Sequence, residues 1–226
     1  MGRAKLPRKS TNIDMTAMCD VAFLLLSFFI LATKFKPPET LKVETPNSVS
    51  NKIAPEKDVV MVTLDKDGKV FLSVSDANVA QKKAIIDEVN TAKNLGLTEE
   101  EKKNFSNNPT SYIGVPFSQL KSYLSKTPEE LKGVVLPGIP VKDTLNNELI
   151  EWIHAATSAF FDGNKKMNIL LKGDDAAKYP SFKGITDAFK KNDQMKFQMI
   201  TNPVAVPPGT DLYKTNIATG TKGASS

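Results

Sequence analysis

One carboxylate, that of Asp20, lies inside the longest apolar stretch of the sequence, which runs from Ala17 to Ala32. A charged side chain near the centre of a bilayer costs about 2.5 to 3.5 kcal/mol on insertion scales. An acidic residue in such a stretch therefore indicates a functional group. We predict that Asp20 carries an ion.

Two hydroxyl side chains fall on the same side of the predicted helix as this carboxylate. At 100° per residue, Thr16 lies within about 40° of Asp20 around the axis and Ser27 within about 20°. The three residues would form a polar stripe opposite a surface of Phe, Leu, Ile and Val. The alternative is that each hydroxyl bonds back to a carbonyl of its own helix.

The stretch at 15–33 is nearly as long as the roughly 20 residues that a helix needs to cross a bilayer. We predict a cytoplasmic basic tail at 1–12, a single transmembrane helix at 13–35 and an exported remainder. Basic residues are more numerous before the stretch than after it, which favours an N-terminus in the cytoplasm: Arg3, Lys5, Arg8 and Lys9 against Lys34 and Lys36.

A cleaved signal peptide is the alternative, because a basic start followed by Val21 to Ala32 fits one. Two features oppose cleavage. Asp20 interrupts the approach to the apolar run, and the run ends without a clear site of two small residues one position apart.

The charge distribution points to the membrane rather than to nucleic acid. Residues 1–36 hold six Lys or Arg and two Asp, a balance of +4, which leaves +1 of the total +5 for the rest. We therefore predict no nucleic-acid partner. The one cysteine, Cys19, lies in the apolar stretch, so an internal disulfide cannot stabilise the exported part.

The run Asp14-x-Thr16-x-x-x-Asp20-Val21-x-Phe23-Leu24-Leu25-Leu26 resembles the N-terminal signature of the ExbD/TolR family. The resemblance extends over roughly residues 8–36. It departs from the family at Ala17, where proline usually follows the threonine.

The resemblance implies a biopolymer transport subunit that carries out no enzymatic reaction. It implies a homodimer in the bacterial inner membrane, enclosed by a ring of ExbB/TolQ-like polytopic subunits, in contact with membrane lipid and with a TonB-like protein in the periplasm. Asp20 matches the proton-binding position of the family, and we add Asp14, Thr16 and Ser27 as auxiliary polar residues of the channel. The proton motive force would drive this motor, with protons as the coupling ion and no other cofactor.

Two other functions stay open. A TolR-like subunit would maintain the cell envelope instead of energising TonB-dependent transport. A passively anchored periplasmic scaffold or binding protein would use the helix only as an anchor.

A polar, proline-bearing periplasmic linker is predicted over 36–55, since Pro37 and Pro38 stop the helix. Its segment Val43-Glu44-Thr45-Pro46-Asn47-Ser48 resembles a Val-x-x-Pro-x-Ser segment of ExbD proteins. The resemblance implies partner binding by Val43, Pro46 and Ser48, although an ordinary linker fits as well.

Residues 56–202 are predicted to form the periplasmic ExbD-like α/β domain, a two-layer α+β fold. Two β-rich runs around Asp65-Lys66-Asp67-Gly68 predict a hairpin. Strands at 166–172 and 195–201 around a helix at 179–191 predict a right-handed crossover with neighbouring parallel strands. Asp174 and Asp175, between the first of these strands and the helix, are predicted to be helix caps.

An enlarged helical insertion is predicted at 77–163, with helices at 79–93, 97–105, 116–126 and 144–161. The last helix holds the single histidine, His154, which we interpret as a surface or core-edge residue, because no second His and no exported Cys accompany it. No metal site is predicted. The apolar residues of this helix are interpreted as core: Trp152, Ile153, Phe160 and Phe161.

A flexible C-terminal tail is predicted over 203–226, because Pro, Gly, Thr, Ala and Ser dominate it. The predicted fold is thus a single transmembrane α-helix plus a periplasmic α/β domain with an enlarged helical insertion.

Overall fold

The computed structural model describes residues 15–32, 41–50, 53–107, 112–127, 130–131, 134–141, 146–211 and 213–214. The chain divides into two units, Met1–Pro38 and Glu39–Ser226. The first unit contains helix α1 (Met15–Ala32). The second contains, in chain order, β1 (Asn47–Ser48), β2 (Val59–Leu64), β3 (Val70–Val74), α2 (Val79–Lys93), α3 (Glu99–Ser106), α4 (Phe117–Leu124), α5 (Leu149–Asp162), β4 (Asn168–Gly173), α6 (Tyr179–Lys191), β5 (Phe197–Ile200) and β6 (Asn202–Pro203).

Helix α1 has 18 residues and rises about 27 Å at 1.5 Å per residue. Its described side chains are exposed, apart from that of Ser27, which is half-buried. Among the described residues, no helix combines the length and the apolarity of a membrane span. The transmembrane part of the predicted fold, at 13–35, therefore stays a prediction.

Four strands of the second unit form a mixed sheet in the order β3-β2-β4-β5. Strands β2 and β3 run antiparallel, which confirms the predicted hairpin. Gly68 in its turn has φ +79°, a conformation that glycine adopts without steric cost. Strands β2 and β4 are parallel, as are β4 and β5, so the predicted parallel neighbours are confirmed.

The hydrophobic core lies between one face of this sheet and the helices of the second unit. Alternate residues of β2 enter the core because successive side chains of a strand point to opposite faces: Val60, Val62 and Leu64, none more than 1% exposed. Fully burying such a side chain contributes about 1.5 to 3 kcal/mol. From α5, the ring of Trp152 stacks on Phe105 at 5.8 Å between ring centroids.

The predicted helices at 79–93 and 179–191 agree in both bounds with α2 and α6. Helix α3 begins two residues later than predicted, because Thr98 caps it: its hydroxyl accepts the N–H of Glu101, whose carboxylate accepts the N–H of Thr98. Pro116 precedes α4 as its N-cap residue, so α4 begins one residue later than the predicted start at 116. The chain outside α1 is thus a mixed α/β structure.

One predicted core residue of α5 lies at the surface. Phe160 is 1% exposed, whereas Phe161 is 82% exposed, so its interpretation as core is wrong. Adjacent helical residues differ by 100° around the axis, and α5 packs against α2 and α6. The side of α5 that holds Phe160, Trp152 and Ile153 is buried, and Phe161 lies outside it.

Candidate functional site

Asp20 lies in the second turn of α1, and its side chain is exposed. Within the described residues its carboxylate makes no hydrogen bond and no ion pair. Its neighbours on the same helix are large apolar side chains, such as Phe23 at 68% exposure and Leu24 at 59%. Among the residues that the structure describes, nothing neutralises this acidic group on the apolar helix α1.

The two hydroxyl residues of the predicted stripe lie on either side of Asp20 along α1. Ser27 is almost two turns beyond Asp20, about 10 Å along the axis. Its Oγ donates to the carbonyl oxygen of Leu24 at 2.9 Å, which is the local bond considered as the alternative from sequence. Thr16 lies in the first turn and is exposed. Asp14, the remaining predicted channel residue, lies outside the described residues.

The chemistry open to Asp20 is the uptake and release of one proton. In apolar surroundings the neutral acid is far less costly than the carboxylate, so binding a proton changes which environment the side chain can face. A carboxylate that has no partner among the described residues of its chain can make that exchange with a pathway supplied by another subunit.

The segment predicted to bind partners pairs with the C-terminal part of the second unit. Asn47 and Ser48 form β1, which lies parallel to β6 with Asn47 opposite Asn202. The carbonyl oxygens of Pro46 and Ser48 accept the N–H groups of Asn202 and Val204, both at 2.9 Å. This part of the predicted linker at 36–55 is therefore strand.

The same pairing changes the boundary of the predicted tail. Pro203 belongs to β6, and Val204 bonds to Ser48, so the predicted boundary after Asn202 is at least two residues early.

Val43 and Pro46, the other predicted contact residues of the segment at 43–48, are half-buried.

Asp174 anchors this segment instead of capping a helix. Its Oδ2 accepts the N–H of Glu44 at 3.1 Å, and its Oδ1 accepts the N–H of Ala176. The N-cap residue of α6 is Lys178, and no side chain caps it, so the prediction of Asp174 and Asp175 as helix caps is wrong. The connection after β4 is long enough to move both carboxylates away from the start of α6. The N–H of Asp175 donates to the carbonyl oxygen of Glu44.

Sequence reasoning missed Asn202 and the anchoring role of Asp174. Asn202 carries no motif, and its partner Thr45 lies 157 positions away in sequence. The sequence does place a Thr and an Asn near the two ends of the domain, and each side chain can both donate and accept hydrogen bonds. This is the only feature of the sequence that could have suggested the contact between Thr45 and Asn202.

Glu148, the residue before α5, is a half-buried carboxylate whose surroundings shift its pKa. Burial raises its pKa above the usual range, while the N–H of Phe117, which donates to Oε2 at 2.7 Å, and the charge of Lys93 act in the opposite direction. Pro116, the N-cap residue of α4, has no side-chain acceptor for the N–H groups at the start of that helix. The carboxylate of Glu148 accepts one of them in its place. We assign it a structural role.

His154 is a surface residue, in agreement with one of the two predicted locations. Its Nδ1 lies 3.0 Å from Oε1 of Glu88, and its side chain is 65% exposed. Among the residues that the structure describes, no group of three or more His, Cys, Asp or Glu side chains is arranged to hold a metal ion.

Comparison with known protein families decides the classification. Residues 7–204 match the family model of the biopolymer transport protein ExbD/TolR. The chain belongs to the ExbD/TolR family. The match covers nearly the whole chain and includes both α1 and the domain that follows it.

Membership in the ExbD/TolR family places the chain among subunits of biopolymer transport motors, which are not enzymes. Members of this family generally work with ExbB/TolQ-type partners and are typically anchored in a membrane. No curated protein sequence and no solved structure gave a significant match to the chain.

Proposed function

We propose that this ExbD/TolR family member is the proton-conducting subunit of an ExbB–ExbD-type motor in the bacterial inner membrane. The motor would use the proton motive force to energise TonB-dependent transport across the outer membrane. The observation that carries the proposal is Asp20, an acidic side chain without a partner in the described residues, in the second turn of α1 and directly before its exposed apolar surface.

The exposed surface of α1 supports enclosure by other molecules. Its side chains include eight Leu, Phe, Ile and Val residues that are at least 57% exposed, from Val21 at 57% to Leu31 at 85%. Such a surface is stable in lipid or against an apolar protein surface. No membrane span was identified among the described residues, so the proposal rests on family membership and on Asp20 rather than on the length of α1.

Proton binding at Asp20 would alternate its side chain between two environments. The charged form would face water or polar groups of an ExbB/TolQ-like ring, and the neutral form would tolerate an apolar wall. A membrane potential of 100 mV is worth about 2.3 kcal/mol per charge. That energy biases one step about 50-fold, since about 1.4 kcal/mol corresponds to a factor of ten.

The segment at 43–48 would be the contact with a TonB-like partner. Its backbone is already paired with β6 through Pro46 and Ser48, and Val43 is half-buried. A partner that takes up these backbone groups would have to displace the pairing with Asn202. Partner binding and release of this segment would therefore be coupled.

The decisive experiment changes Asp20 to Asn, which has the same shape but cannot exchange a proton. We expect Asp20→Asn to insert and to co-purify with the polytopic partner while energy-dependent uptake is lost. Asp20→Glu keeps the carboxyl group and should retain part of the uptake. Ser27→Ala is the matched control on the same face, and it should leave uptake nearly unchanged because the hydroxyl is bonded within α1. Normal uptake by Asp20→Asn would refute the proposal.

A TolR-like role is the second candidate, because the matching family model describes ExbD and TolR together. Deletion of the gene distinguishes the two. An ExbD-type subunit predicts loss of nutrient import with an intact outer membrane, and a TolR-type subunit predicts leakage and detergent sensitivity. A passive scaffold would purify without a polytopic ring.

A further inference from the structure

A cavity of about 200 Å³ lies beside the turn of the β2–β3 hairpin in the second unit. Its apolar walls come from three separate parts of the sequence: the start of the domain, strand β3, and the region around α4. The residues that form these walls include Leu41, Phe71, Tyr112, Tyr123, Leu131 and Leu136. Neither Asp20 nor the segment at 43–48 contributes to it, so it belongs to neither site described above.

The size and walls of this cavity fit one aromatic ring. An engineered cavity of about 150 Å³ lined by Leu, Ile and Phe binds benzene, so 200 Å³ admits a ring together with a short substituent. Three of the wall residues are themselves aromatic: Phe71, Tyr112 and Tyr123. Aromatic pairs in offset or edge-to-face contact add about 0.5 to 1.5 kcal/mol beyond the area that they bury.

Two side chains of opposite charge, Asp65 and Lys69, line the same cavity, and both are half-buried. Oδ1 of Asp65 accepts the backbone N–H of Lys69 at 2.7 Å, which fixes the turn. Within the described residues, Oδ2 of Asp65 and Nζ of Lys69 make no hydrogen bond, and the two side chains do not form an ion pair with each other. One negative and one positive group are thus both available to a ligand.

We propose that this cavity binds a free aromatic amino acid, with the ring against Phe71 and the two tyrosines, the ammonium group at Asp65 and the carboxylate at Lys69. An aromatic ligand with one charge would satisfy only one of the two half-buried groups. A zwitterion satisfies both, since its ammonium and carboxylate groups lie close together and Asp65 and Lys69 line the same cavity within one turn. The inference does not depend on the proposed motor function.

Occupation of the cavity would join the hairpin to the region around α4. Phe71 belongs to the sheet, Tyr123 belongs to α4, and Leu131 follows that helix. A bound ring would contact all three, so the ligand would stabilise the contact between the sheet and the helical region.

The test uses the full chain in lipid nanodiscs and three probes: L-phenylalanine, phenethylamine, which lacks the carboxylate, and 3-phenylpropanoate, which lacks the ammonium group. Saturation-transfer NMR on the ring protons measures binding, with empty nanodiscs as the blank. We expect L-phenylalanine to bind about threefold to tenfold more tightly than either singly charged probe, the scale of a half-buried charged contact.

Two variants separate the contributions of the charges. Asp65→Asn keeps the acceptor of the turn and should remove the advantage of L-phenylalanine over 3-phenylpropanoate but not over phenethylamine. Lys69→Gln should do the reverse. Asp67→Asn and Lys66→Gln, at exposed positions of the same turn, should change neither ratio. Equal binding of all three probes to the unaltered protein, or no saturable binding of L-phenylalanine above the blank, would overturn the proposal.

Discussion

Thr45 and Asn202 hold each other through two side-chain hydrogen bonds. Oγ1 of Thr45 donates to Oδ1 of Asn202, and Nδ2 of Asn202 donates to the carbonyl oxygen of Thr45, both at 2.9 Å. Thr45 is 9% exposed, so these polar groups are largely removed from water. The pair fixes the chain that enters the domain against the chain that leaves its sheet.

Asn202→Ala should release the segment that Asn202 holds. The change removes both side-chain bonds and leaves the buried hydroxyl of Thr45 without its acceptor, at a cost of about 1 to 3 kcal/mol. Faster amide hydrogen exchange at residues 44–48 is the readout. Thr201→Ala, at the neighbouring position, is the control. Unchanged exchange in Asn202→Ala would show that β1 is held without this pair.

Phe160→Ala and Phe161→Ala should differ sharply although the two residues are adjacent in α5. Phe160 is 1% exposed, so its truncation leaves a cavity and should lower the free energy of unfolding by about 3 to 5 kcal/mol. Phe161 is 82% exposed, and its truncation should change that free energy by no more than about 0.5 kcal/mol. Denaturant unfolding of the full chain measures both. Similar losses would contradict the orientation of α5.

Gly184→Ala should destabilise the domain, although alanine usually favours a helix over glycine. A Cβ at this position of α6 would overlap the carbonyl oxygen of Val141, a backbone atom that cannot move aside alone. Overpacking of this kind costs about 1 to 3 kcal/mol. At Gly173, by contrast, an added Cβ would meet nothing within 4 Å. Thermal unfolding should therefore show a lower midpoint for Gly184→Ala than for Gly173→Ala.

Glu148→Gln should change the pH dependence of stability. Because burial raises the pKa of Glu148 in the folded chain, the folded state binds the proton more tightly than the unfolded state does. This contribution is fully present below the unfolded pKa of about 4.5 and is lost as pH rises through the folded pKa. The amide introduced by Glu148→Gln would stay neutral, and its oxygen can still accept the N–H of Phe117.

The stability of the Glu148→Gln variant relative to the unaltered chain should therefore rise between about pH 4 and pH 7. Unfolding midpoints across this range provide the measurement. Glu56→Gln, at an exposed position, is the control and should run parallel to the unaltered chain. A constant difference for Glu148→Gln across the range would contradict a raised pKa.

The regular elements could be predicted because their patterns are local. Helices α2 and α6 repeat apolar residues at intervals of three and four, and their predicted bounds agree with the structure. The hairpin followed from β-rich runs around Asp65 to Gly68. The acidic position of α1 likewise needed no tertiary information, because a carboxylate in an apolar run is conspicuous in the sequence alone.

The long-range polar contacts could not be predicted. Strands β1 and β6 have two residues each, too few to show alternation, and their pairing depends on Thr45 and Asn202 meeting across the whole domain. Asp174 fits a helix cap in sequence, and only the position of Glu44 reveals its acceptor role. The walls of the cavity beside Asp65 come from three segments that are distant in sequence, so no local sequence pattern predicts this cavity.

The order of the strands also determines how the domain can assemble. Strands β2 and β4 are neighbours, yet β3 and helices α2 to α5 lie between them in sequence. The β2–β3 hairpin can close within microseconds, whereas β4 can join only after a long loop has lost its conformational entropy. The pairing of β4 with β2 should therefore limit the folding rate, because it joins residues that are far apart in sequence. Lengthening or shortening the segment that holds α2 to α5 should alter the folding rate while leaving the structure of the sheet unchanged.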